Sequence, residues 1–371
     1  MKRIIIGLIL IVVFPFSVSA QDTSTENFYA EQYELSGADD LQYALPEDTR
    51  EFMNQNGIDA ENPDFVNSLT TQNVFSHIAD FIKSGAKAPF AAAAGILAVI
   101  LISAAIDSGA HGSAATAAKY ATVISAAAVI TAPVYSVITS GISAMQGCTV
   151  FMTAFVPIFA AVVAAAGKVV TSASMSALLL AATQGVSYIS NFVVLPLMGG
   201  YLAMGIASGI SPVISKTGIA DGVKKLAMWT MSLTSTVFIG ILGIQTAVNS
   251  SADTLTLRTA KFIVGSAVPV AGTALSEALA TVTASLGLLK AGVGVYGIIA
   301  CAVIFIPLLC ELLMWRIMLN ITSAVSDLFN LPEISVILKS VDTVMSVLTG
   351  IILLVGAVFI ISLTVVVGAV K

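Results

Sequence analysis

An all-α, polytopic helical membrane protein is the fold class that this sequence predicts, and three observations predict it. Hydrophobic residues make up 57% of the 371 and charged residues only 10%, with a mean hydropathy of +0.97. A water-soluble domain carries roughly a quarter charged residues, so a soluble globular protein is excluded. Apolar stretches near the roughly 20 residues that cross a bilayer as a helix recur from residue 88 to the C-terminus. Charge is also divided along the chain: residues 21–85 hold 13 acids against 2 bases, whereas residues 86–371 hold 8 acids against 12 bases. Length alone would suggest two or three soluble domains, a prior that does not transfer to a bundle in lipid.

The chain opens on Lys2 and Arg3, then an apolar run of 11 (residues 4–14), then Val18-Ser19-Ala20. The run is too short to span, and the small residues suit a cleavage site, so residues 1–20 read as a signal peptide. An uncleaved anchor is the alternative; either way residues 21–85 are delivered across the membrane. This acidic extracytoplasmic leader begins polar and aperiodic. Pro46-Glu47-Asp48 then starts a helix, because proline suits the first turn and acids suit its positive end, and Gly57 ends it. Asn62-Pro63-Asp64 signals a second helix, with Phe65, Leu69, Phe75, Ile78 and Phe81 at near-helical spacing. It would lie on the bilayer surface or lead into the first span. His77 there reads as structural.

Residues 86–371 form the transmembrane domain. Spans are expected near 88–106, 120–142 and 148–167, with Lys168 at the end of the third. Residues 171–212 hold two short spans or one hairpin, interrupted at Asn191 and Pro196, with a close-packing G-x-x-x-G at Gly205–Gly209. Lys216, Lys224 and Lys225 mark a loop that charge bias assigns to the cytoplasm, and Trp229 suits an interfacial anchor. A span near 226–247 precedes a helix expected to be broken between 262 and 289, and then a span near 292–313. Residues 317–343 read as an amphipathic helix along the membrane surface, kinked at Pro332, before a last span at 344–370. The total is seven to nine spans. A faint internal repeat joins halves 120–212 and 226–316: Pro157 and Pro269 are offset by 112 residues, Pro196 and Pro307 by 111. Paired, proline-interrupted segments are the sequence pointer to a transporter-like site.

Interrupted apolar segments have to be enclosed by protein or line a cavity, and a carboxylate within one is a functional-site candidate. The pathway-lining or gating candidates are therefore Pro269, Gly272, Ser276, Glu277, Lys290, Gly292, Gly294, Gly297 and Pro307. Glu277 is the deepest charge, a polar lining or a partner for Lys261 or Lys290; placement in water at an interface is the plainer alternative. Glu311 and Arg316 read as a span end. Gly292-Val-Gly294-Val-Tyr-Gly297 matches G-x-G-x-x-G, but no strand precedes it, so it reads as a helix-packing or hinge glycine run and not as a dinucleotide site. The two histidines, 34 residues apart, do not suggest a zinc site. Cys148, Cys301 and Cys310 lie in apolar spans as small hydrophobes. No catalytic residue, cofactor or metal is expected, and scattered basic residues give nucleic acid no patch.

The sequence GILGIQ at 240–245, then TAKFIVGSAVPVAGTALSEALATVTASLGLLKAGVGVYGII from Thr259, resembles the signature region of the stage III sporulation protein AE family, and LPEDTREFMNQNGID at 45–59 is similar to its acidic leader. The family's serine–aspartate after the proline–glycine turn stands here as Ser276-Glu277. The resemblance implies a non-enzymatic subunit of a secretion-like channel complex between mother cell and forespore, needed for endospore formation. Its partners would be other membrane proteins of the complex, including a cytoplasmic ATPase and ring-forming subunits, in the mother-cell-derived membrane around the forespore. The residues alone leave a second reading, an independent small-solute transporter with a midplane site between the two repeats.

Overall fold

A computed structural model describes residues 32–61, 65, 71–109, 113–166, 168–210, 222–223, 225–230, 232–238, 240–241, 243–244 and 272–368. The described residues are almost all helical and contain no strand. After a 3-10 turn at Ala38–Ala44, the helices are α1 (Glu47–Gln55), α2 (Thr71–Gly109), α3 (Ser113–Ala165), α4 (Val169–Ile189), α5 (Leu195–Ile210), α6 (Gly272–Leu328) and α7 (Pro332–Gly368). Five continuous helical stretches are long and apolar enough to cross a membrane: Ser76–Ile106, Ala117–Ala165, Val169–Ser208, Leu289–Leu328 and Pro332–Ile361.

Local signals explain α1. Pro46 precedes it, Glu47 and Asp48 fill its first turn, and Gly57 takes a left-handed φ of 64°. The Ile58 amide then bonds back to the Met53 carbonyl at 2.9 Å, closing the helix as left-handed glycines do. The second expected leader helix and the first span are one helix, α2. Residues 62–64 and 66–70 lie outside the described residues.

Four expectations change. Residues 120–142 and 148–167 are not separate spans: α3 runs 53 residues through both. The segment between them, Ile142-Ser-Ala-Met-Gln-Gly147, has no proline and one glycine at its end, so nothing stops the helix. The helix expected to be broken between 262 and 289 runs unbroken from Gly272 into the expected span at 292–313, through the glycine run and Pro307, as α6; Pro269 and residues 262–271 lie outside the described residues. The interruption expected at Asn191 and Pro196 is a π-helical segment, Ser190–Val194, joining α4 to α5. Pro196 has no N–H to offer and its ring crowds the carbonyl of residue 192, and the wider π register absorbs both.

The amphipathic stretch 317–343 is not one kinked surface helix. It is the end of α6, a turn and the start of α7. Asn330 adopts φ 55°, the Leu331 amide donates to the Ser326 carbonyl at 3.0 Å and the Ser326 hydroxyl to the Leu331 carbonyl at 2.8 Å. Pro332 then opens α7, where its missing N–H costs nothing.

α6 is the centre of the bundle and packs most extensively on α7, α2 and α3. Every residue from Gly292 to Phe305 is buried. The leader joins the same core: Leu41, Leu45, Met53 and Ile58 are buried in it, and Phe52 packs on His77 and Phe81 of α2 with ring centroids 5.1 and 5.2 Å apart.

Candidate functional site

Gly292, Gly294 and Gly297 are buried where α6 crosses the bundle. Gly297 faces Phe155 of α3; a Cβ there would lie 2.5 Å from the ring. Phe155 stands in a ladder with Phe151 and Phe159, centroids 5.4 and 5.2 Å apart, so the ring has no room to withdraw. One turn on, Cys301 Sγ lies 3.8 Å from Cys148 Sγ and 3.9 Å from Met152 Sδ. Gly297 thus serves the close approach of α6 to α3. Pro307 is half-buried on α6. Lys290 is 4% exposed, and Lys168 lies close enough to act on it electrostatically. Gly272, Ser276 and Glu277 fall on the first turns of α6, and their side chains lie outside the described residues.

A second group of polar residues joins α6 to α7. Arg316 Nε donates to Asp342 Oδ1 at 3.2 Å, with each side chain about a fifth exposed. Asn320 Nδ2 donates to the Arg316 carbonyl at 2.7 Å and reaches Asp342 Oδ1 at 3.4 Å. The Ser323 and Ser335 hydroxyls meet at 3.1 Å, and Lys339 pairs with Asp327 at 3.0 Å on the surface. Above this seam, Glu311 is half-buried under Gly85 of α2, whose ideal Cβ would lie 3.1 Å from Glu311 Cα. Trp315 Nε1 is buried near the Glu311 carboxyl, though without hydrogen-bond geometry to any described residue.

Sequence reasoning placed Glu311 and Arg316 at a span end and missed Asp342. The signal was present: Arg316 and Asp342 lie 14 and 12 residues either side of Asn330, so an antiparallel hairpin turning there brings them level. Among the described residues no group of three His, Cys, Asp or Glu side chains could hold a metal.

A family model described as Stage III sporulation protein AE matches residues 66–370. The "Stage III sporulation protein AE" of Bacillus subtilis (strain 168) is 30% identical over 155 residues, which are 42% of this chain and 39% of that relative. The match thus spans about two fifths of the relative's length. No solved structure matches.

Proposed function

Because the chain belongs to the stage III sporulation protein AE family, we propose that it is a non-enzymatic membrane subunit of a secretion-like channel complex that connects mother cell and forespore. A role in sporulation follows from the family, and five membrane-length helices fit a membrane protein. The channel role is our reading. The observation that carries it is the extent of the family match, which at residues 66–370 covers all five described membrane-length helices.

In this reading the pathway belongs to the N-terminal part of α6, from Gly272 to Lys290, with Ser276 and Glu277 as its polar contacts. The packed segment from Gly292 onward supports it. Glu277 is the single carboxylate between residues 272 and 310 and stands among Thr273, Ser276, Thr281 and Thr283, a polar run in an otherwise apolar helix. The partners are other membrane proteins of the complex, with a cytoplasmic ATPase and ring-forming subunits, in the mother-cell-derived membrane around the forespore.

Glu277→Ala in the sporulating host is the test. We expect spore yield to fall at least about tenfold while the protein still accumulates in the membrane fraction and still co-purifies with other membrane proteins. Wild-type yield removes the gating role of Glu277. Purification without any membrane partner removes the complex.

A further inference from the structure

The long helices outrun a bilayer. Ala117–Ala165 is 49 residues, about 74 Å at 1.5 Å per residue, against a hydrocarbon core about 30 Å thick. Contacts between helices define the levels. Ser103 meets Thr122 and Gly95 meets Val129 as α2 and α3 run antiparallel. Gly85 meets Glu311, Cys148 meets Cys301 and Phe155 meets Gly297. One tier therefore extends from the α2–α3 link to the Gly85–Glu311 level, and a second from there to Lys168.

The leader sits on the second tier. Its Pro46 lies against Gly147, where a Cβ would be 2.7 Å from Pro46 Cγ, and Asp59 acts on Tyr296 electrostatically. Eight carboxylates between residues 34 and 61 are exposed on the leader. Charges are costly in hydrocarbon, so lipid cannot wrap this flank. Between the tiers runs a polar band: Lys83, Lys87, Ser140 and Ser143 are exposed, with Asn191 and Glu311 half-buried. Both tiers turn large apolar side chains outward, Phe90, Leu101, Ile102 and Ile124 on the first and Val150, Val169, Tyr188 and Phe192 on the second, so the leader's charge and the polar band decide which tier meets lipid. From Lys87 to Asp107 is 20 residues, a rise of about 30 Å that matches the hydrocarbon thickness.

We propose that the bilayer wraps only the first tier, from the Lys87–Glu311 band to the α6–α7 turn, and that the leader-bearing tier stands clear of the hydrocarbon as a projecting head. Three features follow. The part of α6 that crosses the head is enclosed by protein, Gly292 to Phe305 being buried throughout, while α4 on the head's outer side keeps Val169 and Tyr188 exposed. The Arg316–Asp342 pair inside the belt is mutually neutralised, and Lys339 reaches Asp327 beside the turn, as a snorkelling lysine does near an interface. The apolar stripe that the head turns outward, Trp229, Leu233, Val237 and Ile241, fits a neighbouring subunit of the complex proposed above.

Single cysteines test this in the purified full chain held in lipid nanodiscs, where both faces are open. The three native cysteines are buried, so the unmodified protein is the blank. Thr153→Cys and Gln184→Cys report the head; Ala98→Cys and Ile124→Cys report the belt, all at exposed positions. A membrane-impermeant maleimide should label the head positions at least about tenfold faster than the belt positions, and detergent denaturation should remove the difference. Head positions as slow as the belt, or belt positions as fast as the head, overturn the placement. Either result leaves the family-based function untouched.

Discussion

Gly297 shows what one missing side chain does in this protein. Phe155 occupies the space its Cβ would need, and the ring is fully buried between Phe151 and Phe159. Overpacking a well-packed core costs about 1–3 kcal/mol, and a trapped ring puts Gly297→Val at the upper end. Gly185 is the contrast: nothing lies within 4 Å of its ideal Cβ, so Gly185→Ala should be neutral or stabilise α4 by up to about 1 kcal/mol. Thermal unfolding in detergent should separate the two, with a lowered Tm for the first only; equal Tm values would mean that Phe155 can move. At the same scale, the Arg316–Asp342 pair should show a coupling of about 0.5–3 kcal/mol in a double-mutant cycle to alanine. A coupling near zero would make the pair an incidental surface contact.

At the scale of elements, the sequence was most readable where a single residue decides the backbone. Pro46 and Gly57 bracket α1 because one lacks a donor and the other tolerates a left-handed φ. Pro196 marks the π segment for the same reason. It was least readable where an element's continuity depends on what is absent. No signal in 142–147 separates one long helix from two spans, since membrane length was an assumption brought to α3 and not a property of it. The glycine run of α6 was ambiguous in the same way: in isolation it suits packing or a hinge, and only Phe155, some 140 residues away in sequence, makes Gly297 a packing position. Asp342 was missed because its partner is set by the turn at Asn330. The unbroken α3 has a direct measure. Ala128→Cys and Thr153→Cys are both exposed on α3, and 25 residues of straight helix should hold spin labels about 38 Å apart. A hairpin near residue 145 would bring them within about 20 Å.

At the scale of the whole molecule, the leader's attachment ties the acidic segment to the helical bundle. Composition made residues 21–85 look separable, because 13 acids against 2 bases advertise a soluble segment. Its apolar residues tell otherwise, since Leu41 is 0% and Met53 1% exposed, and these burials depend on helices beginning decades of residues later. Two variants approach that seat from opposite sides. Leu41→Asp places an unpaired charge in a dry contact, at a cost of several kcal/mol, and should release the leader. Gly147→Leu leaves the leader's own sequence intact but fills the space that Pro46 occupies. Both should speed proteolytic cleavage of residues 32–61 in the full chain while the helical bundle stays resistant. If the leader folded on its own, Gly147→Leu would leave its cleavage unchanged and only Leu41→Asp would act. Agreement between the two therefore shows that the bundle, and not the leader's local sequence, holds those residues in place.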